Sequence, residues 1–266
     1  MRRILILSAL ALFAIANSVV ADSKGSIHGQ EVVYQHNGVE LTGYLAHDSS
    51  LEGPRPGVIV VHEWWGHDEN ARHRAEMLAE AGYVALALDM YGTGKLAEHP
   101  STAREFATAV RTNRDVMMGR FEAAEALLRG HELTGDQPLA AIGYCFGGSV
   151  VLEAARAGAD LAMVASFHGA LNTSNPAQPD SIKADILVFN GAEDPMVPAE
   201  QIAAFREEMA AAGVLYTFVD FAGATHSFTN PGADAIAEQF GMPVGYDARA
   251  DRDSWNWLIA YLNDRL

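Results

Sequence analysis

The chain has a single cysteine, few basic residues and, past its first twenty positions, no long apolar run. Each shortage excludes something. With only Cys145 among 266 residues, no internal disulfide can form, so the fold must stand on its core. That thiol is either a small buried hydrophobe or a working nucleophile. Lys and Arg number 18 against 34 Asp and Glu, a net charge of −16. Such a surface repels nucleic acid and anionic lipid, so neither is expected as a partner. The absence of a later apolar span argues against stable membrane insertion. There is no internal repeat or low-complexity tract. What remains is ordinary globular composition, 49% hydrophobic and 20% charged, at a length one α/β domain can reach.

The N-terminus has its own pattern. Met1-Arg2-Arg3 is basic, residues 4–16 are apolar apart from Ser8, and Val19-Val20-Ala21 places small residues before Asp22. This is the three-part layout of a secretory signal, and the apolar stretch is short of the about 20 residues a membrane span needs. Residues 1–21 are expected to be a cleaved signal peptide and 22–266 a single exported domain, periplasmic or secreted. Losing Arg2 and Arg3 takes the balance from 18 − 34 = −16 to 16 − 34 = −18.

Residues 32–35 and 41–46 read as strands joined at Asn37-Gly38, a strong hairpin signal. Short apolar runs at 57–62, 84–88, 139–143, 161–167 and 186–190 read as strands buried on both faces, and 216–221 as extended. Helical spacing covers 70–81, 101–128 with a break near Asn113, 147–157, 199–212 and 249–263. Strands alternating with helices after a hairpin imply an α/β fold with a mostly parallel sheet covered on both faces. Ligands of such sheets sit beyond the carboxyl ends of the strands.

Chemistry-bearing residues stand at those ends. Gly143-Tyr144-Cys145-Phe146-Gly147-Gly148 follows a strand and opens a helix. A nucleophile on so tight a turn needs glycine two residues before and two after. The turn aims the Phe146 amide at a reacting carbonyl oxygen, and the helix dipole attracts negative charge to the sulfur. Asp194 ends another strand segment and can orient a histidine; Glu193 beside it is the alternative. His226 follows the next strand inside Gly223-Ala224-Thr225-His226-Ser227-Phe228. The order nucleophile, acid, histidine is the one α/β-hydrolases follow. In His62-Glu63-Trp64-Trp65-Gly66 a loop amide can supply a second oxyanion donor, and Glu63 is either a thiol contact or a helix-capping acid. Trp64, Trp65, Tyr91 and Phe146 either wall the site, with Trp65 and Tyr91 against the substrate, or pack the core.

Taken together, these segments resemble the dienelactone hydrolase family from about residue 32 to 262. The markers are His62-Glu63-Trp64-Trp65-Gly66, Gly82-Tyr83 followed by Ala87-Leu88-Asp89-Met90-Tyr91-Gly92, the Cys-centred elbow, and the segment around His226. The resemblance implies a hydrolase of small esters or lactones with a Cys145–His226–Asp194 triad. It also implies an oxyanion hole at the Trp64 and Phe146 amides, Glu63 against the resting thiol, and no metal or organic cofactor. The arginines that hold a substrate carboxylate in the best-known members have no counterpart: Gly92-Thr93-Gly94-Lys95 and Thr229-Asn230-Pro231 stand in their places.

Three rival readings compete with this one. His62, Glu63 and His67 miss the H-E-x-x-H interval by one residue, and Gly66 interrupts any helix there. Gly94-Lys95 lacks the remainder of a phosphate-binding loop. The third is a binding protein that keeps the hydrolase fold without its chemistry.

Overall fold

The structure is a computed structural model, and it describes residues 26–266. The signal-peptide expectation concerns residues outside that range.

In chain order the elements are β1 (Ile27–His36), β2 (Val39–Asp48), β3 (Gly57–Val61), α1 (Glu69–Glu80), β4 (Val84–Leu88), α2 (Pro100–Arg111), α3 (Arg114–Arg129) and β5 (Leu139–Tyr144). They continue with α4 (Phe146–Arg156), β6 (Met163–Phe167), β7 (Asp185–Gly191), α5 (Ala199–Ala212), β8 (Tyr216–Phe221), α6 (Ala233–Phe240) and α7 (Ala248–Arg265).

The hairpin forms at Asn37-Gly38, both with positive φ (48° and 75°), as a two-residue turn between right-twisted strands requires. It is longer than its apolar centre suggests, because pairing runs from His36↔Val39 out to Ile27↔Asp48 through polar positions. The break near Asn113 is real: its side chain caps α3 by accepting from the Val116 amide at 3.2 Å.

One sheet of eight strands carries the described residues, in the order β1-β2-β4-β3-β5-β6-β7-β8. β1, β2 and β4 pair antiparallel, and every pair from β4 through β3 to β8 is parallel. Alternate residues serve opposite cores. Ile59 and Val61 join the layer under α2, α3, α4 and α5, while Val58 and Val60 join the one under α1 and α7. Fully burying one such side chain contributes about 1.5–3 kcal/mol, which is why these strands read as unbroken apolar runs. Strand order reverses at β3 and β5, opening a crevice above their carboxyl ends.

Candidate active site

Cys145 stands in that crevice, between β5 and α4. Its φ of 52° and ψ of −110° are costly for a residue with a side chain, and the surroundings force them. Its amide donates to the Phe167 carbonyl at 3.0 Å and to His168 Nδ1 at 3.2 Å. The flanking glycines are steric necessities. A Cβ on Gly143 would lie 2.1 Å from the Gly147 oxygen, and one on Gly147 would lie 2.2 Å from the Val61 oxygen. Cys145 is half-buried and lines a cavity of about 490 Å³ together with His226, Trp64, Trp65, Met196 and Phe240.

Asp194, at the turn after β7, is buried, whereas Glu193 beside it is exposed. His226 Nδ1–H donates to Asp194 Oδ2 at 2.8 Å, which resolves the two candidate acids. Asp194 is itself held by the Met196 amide on its other oxygen, at 2.8 Å. His226 Nε2 is buried and has no nitrogen or oxygen partner among the described residues. Burial pushes this imidazole down, but the negative charge of the Cys145 sulfur, with hydrogen bonds to Asp194 and Cys145, lifts it to about 10.

Glu63 has partners that the sequence did not indicate. Its carboxylate, buried in the loop after β3, accepts from Ser227 Oγ at 2.8 Å and from Asn230 Nδ2 at 2.7 Å. Both oxygens thus engage the histidine loop. Burial and the charge of Asp68 push this carboxyl up, while the two donors hold it down. Asn230→Leu leaves a buried oxygen unpaired, and denaturant unfolding is expected to show a loss of about 1–3 kcal/mol.

The aromatic wall is half what was expected. Trp64 and Trp65 line the cavity, packed edge to face with centroids 5.1 Å apart. Tyr91 and Phe146 are instead core side chains, buried behind the wall with centroids 5.4 Å apart. Tyr91 acts from there: its hydroxyl donates to the Trp64 carbonyl at 3.1 Å and fixes the loop that carries the Trp64 amide. Asp89 sets that tyrosine by accepting from the Tyr91 and Gly92 amides at 2.7 and 2.9 Å. His62 engages both ring nitrogens nearby, with the Glu63 carbonyl and the Met90 amide, and so is committed to the loop. Phe146 opens α4, so its amide has no partner within the helix.

Several site residues escaped the sequence reading. His168 is fully buried at the end of β6, its ring 5.2 Å from that of His226. Because Nδ1 accepts from the Cys145 amide, its proton sits on Nε2 and is donated to Thr229 Oγ1 at 2.8 Å. Burial, then the charges of His226 and Arg74, hold this ring well below the ordinary histidine range, and hence neutral. The strand-end rule applied to β6 would have found it. Arg74 ties the histidine loop to α7: it donates to the Thr229 carbonyl and to Asp251 Oδ1, the latter at 2.7 Å. Arg104 and Arg111 line the cavity from α2, and no local sequence signal announces them.

An elbow nucleophile position between β5 and α4, with an acid after β7 and a histidine after β8, defines the α/β-hydrolase class. The profile of the dienelactone hydrolase family matches residues 41–266, and the chain belongs to that family. It is thereby an ester or lactone hydrolase. Among solved structures, m3DLH is 34% identical with a TM-score of 0.84, over 91% of this chain and 100% of that one. The dienelactone hydrolase-like promiscuous phosphotriesterase P91 from metagenomic libraries is 31% identical, also at TM-score 0.84, over 91% and 99% of the two chains. A Bradyrhizobium protein named as a probable 2-oxo-3-(5-oxofuran-2-ylidene)propanoate lactonase is 30% identical over 236 residues, 85% of this chain and 90% of its own.

Proposed function

We propose that the chain hydrolyses small esters or lactones by covalent catalysis at Cys145. His226 serves as base and acid, oriented by Asp194. The observation that carries this reading is the 2.8 Å His226–Asp194 pair, whose imidazole couples to the one cysteine of the chain in a shared cavity. With its proton already held by Nε2, the sulfur attacks the carbonyl carbon, and the carbonyl oxygen becomes an oxyanion. The Trp64 and Phe146 amides receive that oxyanion; losing one such donor typically costs roughly 10²–10³ in rate. The C–O bond to the alcohol breaks, and the departing oxygen takes the proton back from Nε2. Water then gives a proton to Nε2 and attacks the thioester, releasing the acid and restoring the sulfur anion beside the protonated ring. Trp64, Trp65 and Phe240 suit a small apolar acyl group.

An electrophilic ester probe tests this against a purely binding role. Mass spectrometry is expected to find the label on Cys145 in the wild type and none in His226→Ala. A wild-type protein that binds the probe without acylation overturns the reading. We further propose that the leader at residues 1–21 exports the protein. The exported chain is then expected to begin at Asp22, which N-terminal sequencing checks.

A further inference from the structure

A second cavity of about 560 Å³ adjoins the first, and the two share Arg111 and Ala170 in their walls. Its character is different. The first is walled mainly by aromatic and aliphatic side chains. The second is walled by Arg111, Arg114, Ser149, Asn172, Thr173 and Asn175 among others. The break between α2 and α3 puts Arg111 at the end of one helix and Arg114 at the start of the next, so both reach the same space.

Three observations mark this cavity as built for a ligand. First, among the described residues neither Arg111 nor Arg114 forms an ion pair, in a chain where acids outnumber bases 34 to 18. The one carboxylate in the lining, Glu153, is already engaged by Arg156 at 3.0 Å. Second, Ser149 Oγ is buried at this cavity without a hydrogen-bond partner, and a buried unpaired hydroxyl is costly. Third, the Arg111 guanidinium lies over the Phe146 ring, 5.3 Å from its centroid, directly beside the nucleophile position. Ser149 is four residues past Cys145, about 6 Å along α4, a distance a small ring can span.

We propose that this cavity seats the alcohol portion of the substrate and that this portion carries an oxyanion, a carboxylate or phosphate. The proposal rests on hydrolysis at Cys145. The acyl group occupies the aromatic cavity, and the anionic alcohol lies between the two arginines with Ser149 donating to it. Guanidinium forks match both anions, and neither arginine has a competing carboxylate to release. The arginines lie at positions other than the two at which the best-known family members hold a carboxylate.

The test compares 4-carboxyphenyl acetate with phenyl acetate in the wild type, Arg111→Ala, Arg114→Ala and Arg114→Lys. The ratio of the two kcat/KM values is expected to fall about tenfold in each alanine variant, through KM, and to recover in part with lysine. The product 4-hydroxybenzoate is expected to inhibit the wild type competitively and the alanine variants far less. Added salt should lower the wild-type ratio. An unchanged ratio in both alanine variants, with both esters still cleaved, overturns the subsite. A wild type that cleaves neither ester overturns the hydrolase mechanism instead, and thermal melts of all variants exclude misfolding as the cause.

Discussion

Cys145→Ala is expected to lower ester hydrolysis by roughly 10⁴-fold or more while leaving the fold intact. No neighbour can substitute for the sulfur. Ser227 Oγ is committed to Glu63, and Ser149 opens on the other cavity. Alanine has the same Cβ, so the positive-φ elbow is no more strained than before. Steady-state kinetics and a thermal melt separate the two effects. The substitution has a second signature. In the wild type His226 binds its proton more tightly folded than unfolded, its position raised from 6.5 to about 10 against the opposing effect of burial. That contribution to stability is complete below about pH 6.5 and is lost as pH rises through about 10. Without the sulfur's charge the raised position falls, so the decline should begin at lower pH. Unfolding curves between pH 6 and 10 check this, and coincident profiles would contradict the Cys145–His226 coupling.

Gly147→Ala should have an equally large effect, on the fold. The added methyl would lie 2.2 Å from the Val61 oxygen and 2.6 Å from its carbonyl carbon, both of them backbone. Neither can rotate away. α4 must lift from β3, breaking the bond from the Gly147 amide to the His62 carbonyl at 3.1 Å. Overpacking of this kind, with a lost buried hydrogen bond, is expected to cost about 4 kcal/mol or more. For a domain of this size that lowers Tm by about 10 °C, or prevents soluble expression. Differential scanning calorimetry reads it directly, and a Tm within 2–3 °C of wild type would mean the elbow tolerates what its geometry forbids.

These glycines show which parts of the molecule are legible in sequence. Backbone demands are written locally: Asn37-Gly38 can scarcely be other than a hairpin turn, and G-x-C-x-G-G after an apolar strand is an elbow. Strands buried on both faces are equally plain, because each residue meets a core. α6 was not foreseen although Ala233, Ile236, Ala237 and Phe240 stand at helical spacing, because its 8 residues are too few for such a repeat to be told from chance. Tyr91 was expected against the substrate and Phe146 in the aromatic wall because an aromatic residue near a strand end does not reveal its direction. Packing turned both inward. Glu63 was expected at the thiol, yet its partners, Ser227 and Asn230, lie more than 160 positions away, a relation only the fold establishes. Asp194 was preferred over Glu193 on its placement after the strand, and the two differ in burial as well, Asp194 buried and Glu193 exposed.

The Arg74–Asp251 tie sets an order in time. The thiol is encoded a little past the middle of the chain, whereas Asp251 lies within its last sixteen residues, 251–266. A polypeptide still emerging from the ribosome therefore carries the sulfur before the histidine segment can be fastened at Thr229. Reactivity is assembled last, and a nascent or C-terminally clipped chain has a thiol but no anchored partner to work with.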